Sequence, residues 1–162
     1  MKRLIATIAA LFIFLGVAFA RAQHKIAQAQ KMPVVGILQT LSHPSLDQIH
    51  QGIIAGLKQE GYVNGKNMRI DFQNAQGDQS NLKSMSDRFN NRNAAVTVGI
   101  ATPAVQSLAN EPGKTPVVMG GISDPLGTGL VKSLKRPGGR VTGTKEQEPI
   151  GKQLRMMKQF MP

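Results

Sequence analysis

From Pro33 onward the chain alternates short apolar runs with stretches of helical period, and this alternation restricts its fold more than any other feature. Strands separated by helices cannot pair as hairpins. Each helix must carry the chain back to the same edge, which gives a parallel sheet with helices on its faces. Pro33-Val34-Val35-Gly36-Ile37-Leu38 reads as the first strand. Leu46, Ile49, Ile53, Ile54 and Leu57 follow at helical spacing from Pro44, and Gly61 suits the helix end. Met68, Ile70 and Phe72 alternate with Arg69, Asp71 and Gln73, the pattern of a half-exposed strand at a sheet edge. Leu82, Met85 and Phe89 mark a helix over 78–90. A third strand is expected over 94–100, a short helix over 103–110 and a fourth strand over 116–119. A Gly-rich helix over 126–134, a short fifth strand over 141–143 and an amphipathic helix over 149–161 complete the α/β pattern. The last helix, with Ile150, Leu154, Met157 and Phe160 on one face, needs a partner. The expectation is that a second lobe, missing after residue 162, would supply it; folding back on the sheet to close one domain is the alternative.

Ahead of the alternation, Met1-Lys2-Arg3 precedes an apolar run from Leu4 to Ala20 that is interrupted only by Thr7, the form of an export signal. Ala18-Phe19-Ala20 and Ala20-Arg21-Ala22 offer cleavage sites. The same run is just long enough to be retained as an anchor. The expected organisation is a signal or anchor over 1–20, a tether over 21–32, an α/β lobe over 33–144 and a crossover helix over 145–162. The absence of Cys excludes disulfides, thiolate metal sites and a thiol nucleophile. His24, His43 and His50 have no metal-ligand spacing, so neither metal nor cofactor is expected. The formal net charge is +11, yet aromatic residues are only 4% of the chain. Without stacking platforms the charge suits an anionic membrane surface better than nucleic acid.

Three loops at strand ends share one design: Ser42-His43-Pro44, Ala101-Thr102-Pro103 and Ser123-Asp124-Pro125. Pro is favoured in the first turn of a helix and Ser, Thr or Asp just before it. Three helix N-termini are therefore expected beside the C-terminal ends of parallel strands. Open α/β sheets bind ligands at that rim, and free helix N–H groups accept carboxylates or phosphates. Taken singly, each loop is better explained as a good helix start; the three on one rim together give an anion or carboxylate site equal weight.

Other motifs are weaker. His43 and Asp47 are spaced as a possible dyad but lack a nucleophile, and a capping role suits His43 better. The stretch 61–67 is a turn, one residue short of a phosphate-binding loop. Gly127-Thr128-Gly129 could cradle a phosphate, but such a motif alone carries little weight. Lys132, Lys135, Arg136 and Arg140 read as a solvated basic turn, with membrane contact as the lesser alternative.

Val35-Gly36-Ile37-Leu38-Gln39 with Ser42-His43-Pro44-Ser45-Leu46-Asp47, and then Asp71 to Asp78, resemble the substrate-binding proteins of tryptophan/tyrosine-type ABC transporters. Ile100-Ala101-Thr102-Pro103-Ala104, Ser123-Asp124-Pro125-Leu126-Gly127 and Pro137-Gly138-Gly139-Arg140-Val141-Thr142-Gly143 extend the resemblance in the same order, from about residue 32 to residue 162. It implies a type I periplasmic-binding-protein fold of two flavodoxin-like lobes, each with helices on both faces of its sheet, closing on an amino acid. This chain would supply the first lobe and the crossover.

The resemblance further implies that Ala101-Thr102-Pro103 holds the ligand carboxylate through backbone N–H groups and the Thr102 hydroxyl, helped by Ser123 and Asp124. Gln39, Ser42 and His43 would line the side-chain pocket, and Gln76 would approach from the edge. No catalysis, cofactor or metal is implied. The implied partners are an amino acid, aromatic by analogy, and an ABC permease, with the protein exported to the periplasm or cell surface. Two departures stand out: the family is about twice as long, and the lipid-modified Cys of many relatives is absent. A self-contained enzyme using Asp124 and Thr128, and an extracytoplasmic sensory domain, are the rival readings.

Overall fold

The computed structural model describes residues 14–17, 19, 21, 23, 32–146 and 149–161. Met1-Lys2-Arg3, Ala18, Ala20 and nearly all of the tether lie outside the described residues, so the export signal is not among the features seen. Among the described residues, no helix is long and apolar enough to cross a membrane.

The elements run β1 (Val34–Gln39), α1 (Pro44–Gln59), β2 (Arg69–Asn74), α2 (Gln79–Asn91), β3 (Val96–Ile100), α3 (Thr102–Asn110), β4 (Val117–Ile122), β5 (Val141–Lys145) and α4 (Ile150–Phe160). All four strand pairs are parallel and the order is β2-β1-β3-β4-β5, with β2 at the edge as its alternation requires. Successive residues of a strand face opposite ways, which divides the core in two. Val35, Ile37, Val98 and Ile100 point to α1, where Leu46, Ile49, Ile53 and Leu57 cover them. Leu38 points to the other face and joins Leu82 and Phe89 of α2 with Ala104, Val105 and Leu108 of α3. Two glycines let the helices on that second face approach closely. A Cβ on Gly36 would lie 2.8 Å from the Phe89 ring, and one on Gly99 would lie 2.6 Å from Val105 Cγ2 and 2.8 Å from its backbone.

One expected element is missing. The segment 123–140 contains no α-helix; Pro125 opens a single turn, and the chain then runs irregularly to β5. Asp124 explains the arrest: its carboxylate accepts the Gly127 N–H at 2.9 Å and its carbonyl accepts the Thr128 hydroxyl at 2.8 Å, closing a local turn. Gly129 then adopts φ 70°, a left-handed conformation that ends the turn.

The basic turn also needs correction at Arg140. Its guanidinium is not solvated but donates to the carbonyls of Thr115 (3.0 Å), Leu108 (3.1 Å), Ala109 (2.8 Å) and Glu111. It thereby supplies donors to the Ala109 and Glu111 carbonyls at the end of α3 and adds one to Leu108 O, which also accepts the Glu111 N–H. Nearby, Lys83 of α2 meets both Asp87 and the buried Glu111 carboxyl. Burial pushes the Glu111 pKa up from its ordinary value. This cluster lies at the end of α3 away from Thr102 and so does not belong to the rim. α4 is exposed along its whole length, and Ile150, Leu154, Met157 and Phe160 are uncovered.

Candidate functional site

β1 and β3 are neighbours, yet α1 leaves β1 for one face of the sheet while α3 leaves β3 for the other. The connections diverge here, at the carboxyl ends of the two strands, which is where open α/β sheets take ligands. The candidate residues from the loops after β1 and β3 lie at this divergence, Gln76 follows edge strand β2, and Ser123 and Asp124 follow β4.

At the end of β1, Gln39 is fully buried. Its amide nitrogen donates to the Leu41 carbonyl at 2.9 Å and to Asp47 Oδ1 at 2.7 Å, while Oε1 has no partner among the described residues. Gln39 thus braces the loop from beneath, and Asp47 is engaged with it rather than in a dyad with His43. Ser42 and His43 are exposed. His43 is the N-cap of α1 and accepts the Ser45 N–H at Nδ1 (3.3 Å), so the neutral ring carries its proton on Nε2. Ser42 Oγ accepts from Asn74 Nδ2 at 2.9 Å, which leaves its own hydroxyl proton free to donate. Farther along α1, His50 stacks on Phe72 of the edge strand with centroids 4.1 Å apart. Burial pulls the His50 pKa down, partly offset by Asp47.

In the loop after β2, Gln76 is exposed in a left-handed conformation (φ 54°), held by its N–H bond to Asn74 Oδ1 at 2.9 Å. The loop after β3 differs from expectation by one residue: Ala101, not Thr102, is the N-cap of α3, and no side chain of its own caps the helix. Ala101 sits at φ 71°, ψ 158°, a region adopted almost only by glycine. Its N–H donates to the Gly120 carbonyl at 3.0 Å and is therefore occupied. Pro103 has no N–H. Among the described residues, neither the Thr102 N–H nor its hydroxyl has a hydrogen-bond partner. Replacing Ala101 with glycine should relieve the strain, and a stability gain of about 1 kcal/mol is expected in urea unfolding. An unchanged or lower midpoint would show that the conformation costs nothing.

Ser123 is half-buried beyond β4, and Asp124 is exposed with Oδ1 turned to Gly127. Because no helix follows them, the rim has two helix N-termini from the three loops instead of three. Thr40 went unnoticed in the sequence. It is nearly buried, at 8% exposure, and its hydroxyl donates to the Ile100 carbonyl at 3.1 Å and accepts the Ala104 N–H at 3.3 Å. No motif marks it in the sequence, because its partner Ala104 lies 64 residues away.

The chain resembles proteins of known character. Residues 34–162 match the family described as ABC transporter substrate binding protein. A tyrosine-binding protein of Clostridioides difficile is 38% identical over 140 residues, which is 86% of this chain but 41% of that protein. Among solved structures, an ABC domain from Streptococcus pneumoniae in complex with L-Trp is 45% identical with a TM-score of 0.75, over 79% of this chain and 43% of that one. A ligand-free, open substrate binding protein with adhesive properties from Clostridium difficile is 35% identical, with a TM-score of 0.73 over 81% and 44%. A conserved domain protein of Vibrio cholerae is 37% identical, with a TM-score of 0.77 over 82% and 45%. The chain thus spans about two fifths of the length of these relatives, the extent of one lobe. The likeness is to binding proteins, not enzymes, and the chain belongs to the ABC transporter substrate binding protein family.

Proposed function

We propose that this chain is the N-terminal lobe of an exported amino-acid receptor for an ABC importer, and that its ligand is an aromatic amino acid. The observation that carries this reading is that Thr102, where the connections from β1 and β3 diverge, has neither its N–H nor its hydroxyl partnered among the described residues, in a chain 45% identical to a protein crystallised with L-Trp. In this reading Thr102 holds the ligand carboxylate, with the Ser123 hydroxyl beside it. Asp124, an anion, suits the ammonium group better than the carboxylate. Ser42 and His43 border the side-chain pocket and Gln76 flanks it at the edge, while Gln39 acts from below. Residues 33–144 form the lobe, 145–162 the crossover, 21–32 a tether and 1–20 the export signal, with the permease as macromolecular partner.

Two-lobed receptors close on their ligand and draw binding energy from both sides. One lobe supplies part of that energy, so a dissociation constant of about 1 mM is expected, equivalent to roughly 4 kcal/mol. Titration of L-tryptophan and L-tyrosine into the folded chain, followed by amide chemical shifts, tests this. Saturable shifts at Thr102 and Ser123 are expected, with binding weakened about tenfold in Thr102→Val through loss of one charge-assisted hydrogen bond. Absence of any shift with either amino acid, or binding indifferent to Thr102→Val, would overturn the assignment.

A further inference from the structure

An α-helix begins with N–H groups that have no helical acceptor, and the N-cap side chain ordinarily takes the one at the second or third position. In α3 the N-cap is Ala101, which cannot do so. The acceptor comes instead from another loop: Thr40 Oγ1 receives the N–H of Ala104, the third residue of the helix, from a position 64 residues away in sequence. The same hydroxyl donates to Ile100 O, and the Thr40 N–H donates to that carbonyl as well at 3.3 Å. On its other side the Thr40 carbonyl accepts the Gly77 N–H at 2.8 Å. One residue after β1 therefore ties together the loop after β2, the end of β3 and the start of α3.

We infer that Thr40 is the positioning residue of the binding rim: it caps α3 from the neighbouring strand end and so leaves the Thr102 N–H and hydroxyl directed to a ligand. Had the N-cap carried its own Ser, Thr or Asp, that side chain would occupy the position where the ligand carboxylate must arrive. Capping from Thr40 satisfies the buried N–H of Ala104 from the end of β1 and leaves the first turn of α3 clear. It also ties the height of α3 to β1, so that a shift of either loop moves both. The part of this inference that concerns ligand binding rests on the proposed function; the capping itself does not.

The test compares Thr40→Val, which keeps the shape and removes the hydroxyl, with Thr40→Ser, which keeps the hydroxyl, in the whole chain. Two quantities are read by NMR: exchange of the Ala104 amide relative to the Leu108 amide farther along α3, and the dissociation constant for L-tryptophan. In Thr40→Val the Ala104 amide should exchange about tenfold faster relative to Leu108, and L-tryptophan should bind roughly tenfold more weakly. Thr40→Ser should stay within about twofold of the parent on both counts. Thr40→Ala gives the same reading if valine prevents folding. Arg140→Lys, which loosens the far end of α3 where Leu108 lies, should speed Leu108 relative to Ala104, the opposite of Thr40→Val, and leave the affinity unchanged.

Equal acceleration of Ala104 and Leu108 in Thr40→Val, or loss of capping in Thr40→Ser as well, would overturn the inference. Loss of capping with affinity unchanged would overturn its binding half. If the parent chain bound no amino acid while Ala104 behaved as expected, the capping role would stand and the proposed function would fall.

Discussion

Phe89→Ala is expected to lower the stability of the lobe by about 3–5 kcal/mol, read from the midpoint of urea unfolding at unchanged slope. Phe89 is 1% exposed and lies in the core formed by β1, α2 and α3. The ring rests on Gly36 of β1 so closely that a Cβ there would stand 2.8 to 3.1 Å from three of its atoms. Gly36→Ala alone should therefore overpack the interface and cost about 1–3 kcal/mol. In the double variant the new methyl enters the space left by the ring. The combined loss should fall short of the sum of the two by about 1 kcal/mol or more. Strict additivity would mean that the ring does not lie on Gly36, and the placement of α2 against β1 would have to be abandoned.

This pair also shows which parts of the molecule can be read in the sequence. The alternation that defines β1, α1, β2 and α2 is local: Val35 and Ile37 against α1, and Leu82 and Phe89 at helical spacing, declare their faces within a few residues. The edge position of β2 follows for the same reason. The segment 126–134 misleads because Leu126, Leu130 and Leu134 are helically spaced, while Leu126 and Leu134 are exposed and the anchoring residue is Val131. What decides its conformation is Asp124 closing the turn onto Gly127, a choice between competing local hydrogen bonds that apolar spacing does not register.

The candidate site divides along the same line. That strand ends and proline-marked helix starts gather on one rim follows from topology, and Ser42, His43, Thr102 and Ser123 are placed on it by residue type alone. The division of labour among them is not legible, because it is set by partners distant in sequence. Thr40 is joined to Ala104, and Asn74 to Ser42 across 32 residues. Ala101 reads as an unremarkable small residue, yet it takes the N-cap in a glycine-like conformation while the capping oxygen comes from Thr40, just after β1.

Arg140 is the strongest case of a long-range partner, and its removal should be nearly as costly as that of Phe89. Arg140→Met is expected to destabilise the lobe by about 3 kcal/mol, or roughly 10 °C in melting temperature. The methionine stem can replace the apolar packing but not the donors, so the carbonyls of Leu108, Ala109, Glu111 and Thr115 would lose them together. A cation at a helix C-terminus also offsets the helix dipole, and that contribution disappears too. Arg140→Lys keeps the charge, but a single ammonium cannot reproduce the planar fork that reaches four carbonyls, so about half the loss should remain. Because the Arg140 carbonyl accepts the Val117 N–H at 2.9 Å and Val141 begins β5, the damage should spread along that edge strand. The amides of β5 should therefore lose exchange protection before those of β1 and β3. Both variants remaining within about 0.5 kcal/mol of the parent would place Arg140 back among exposed surface residues, for which changes of that size are ordinary. Loss in Arg140→Met with full recovery in Arg140→Lys would assign the effect to charge at the helix end, without a part for the fork.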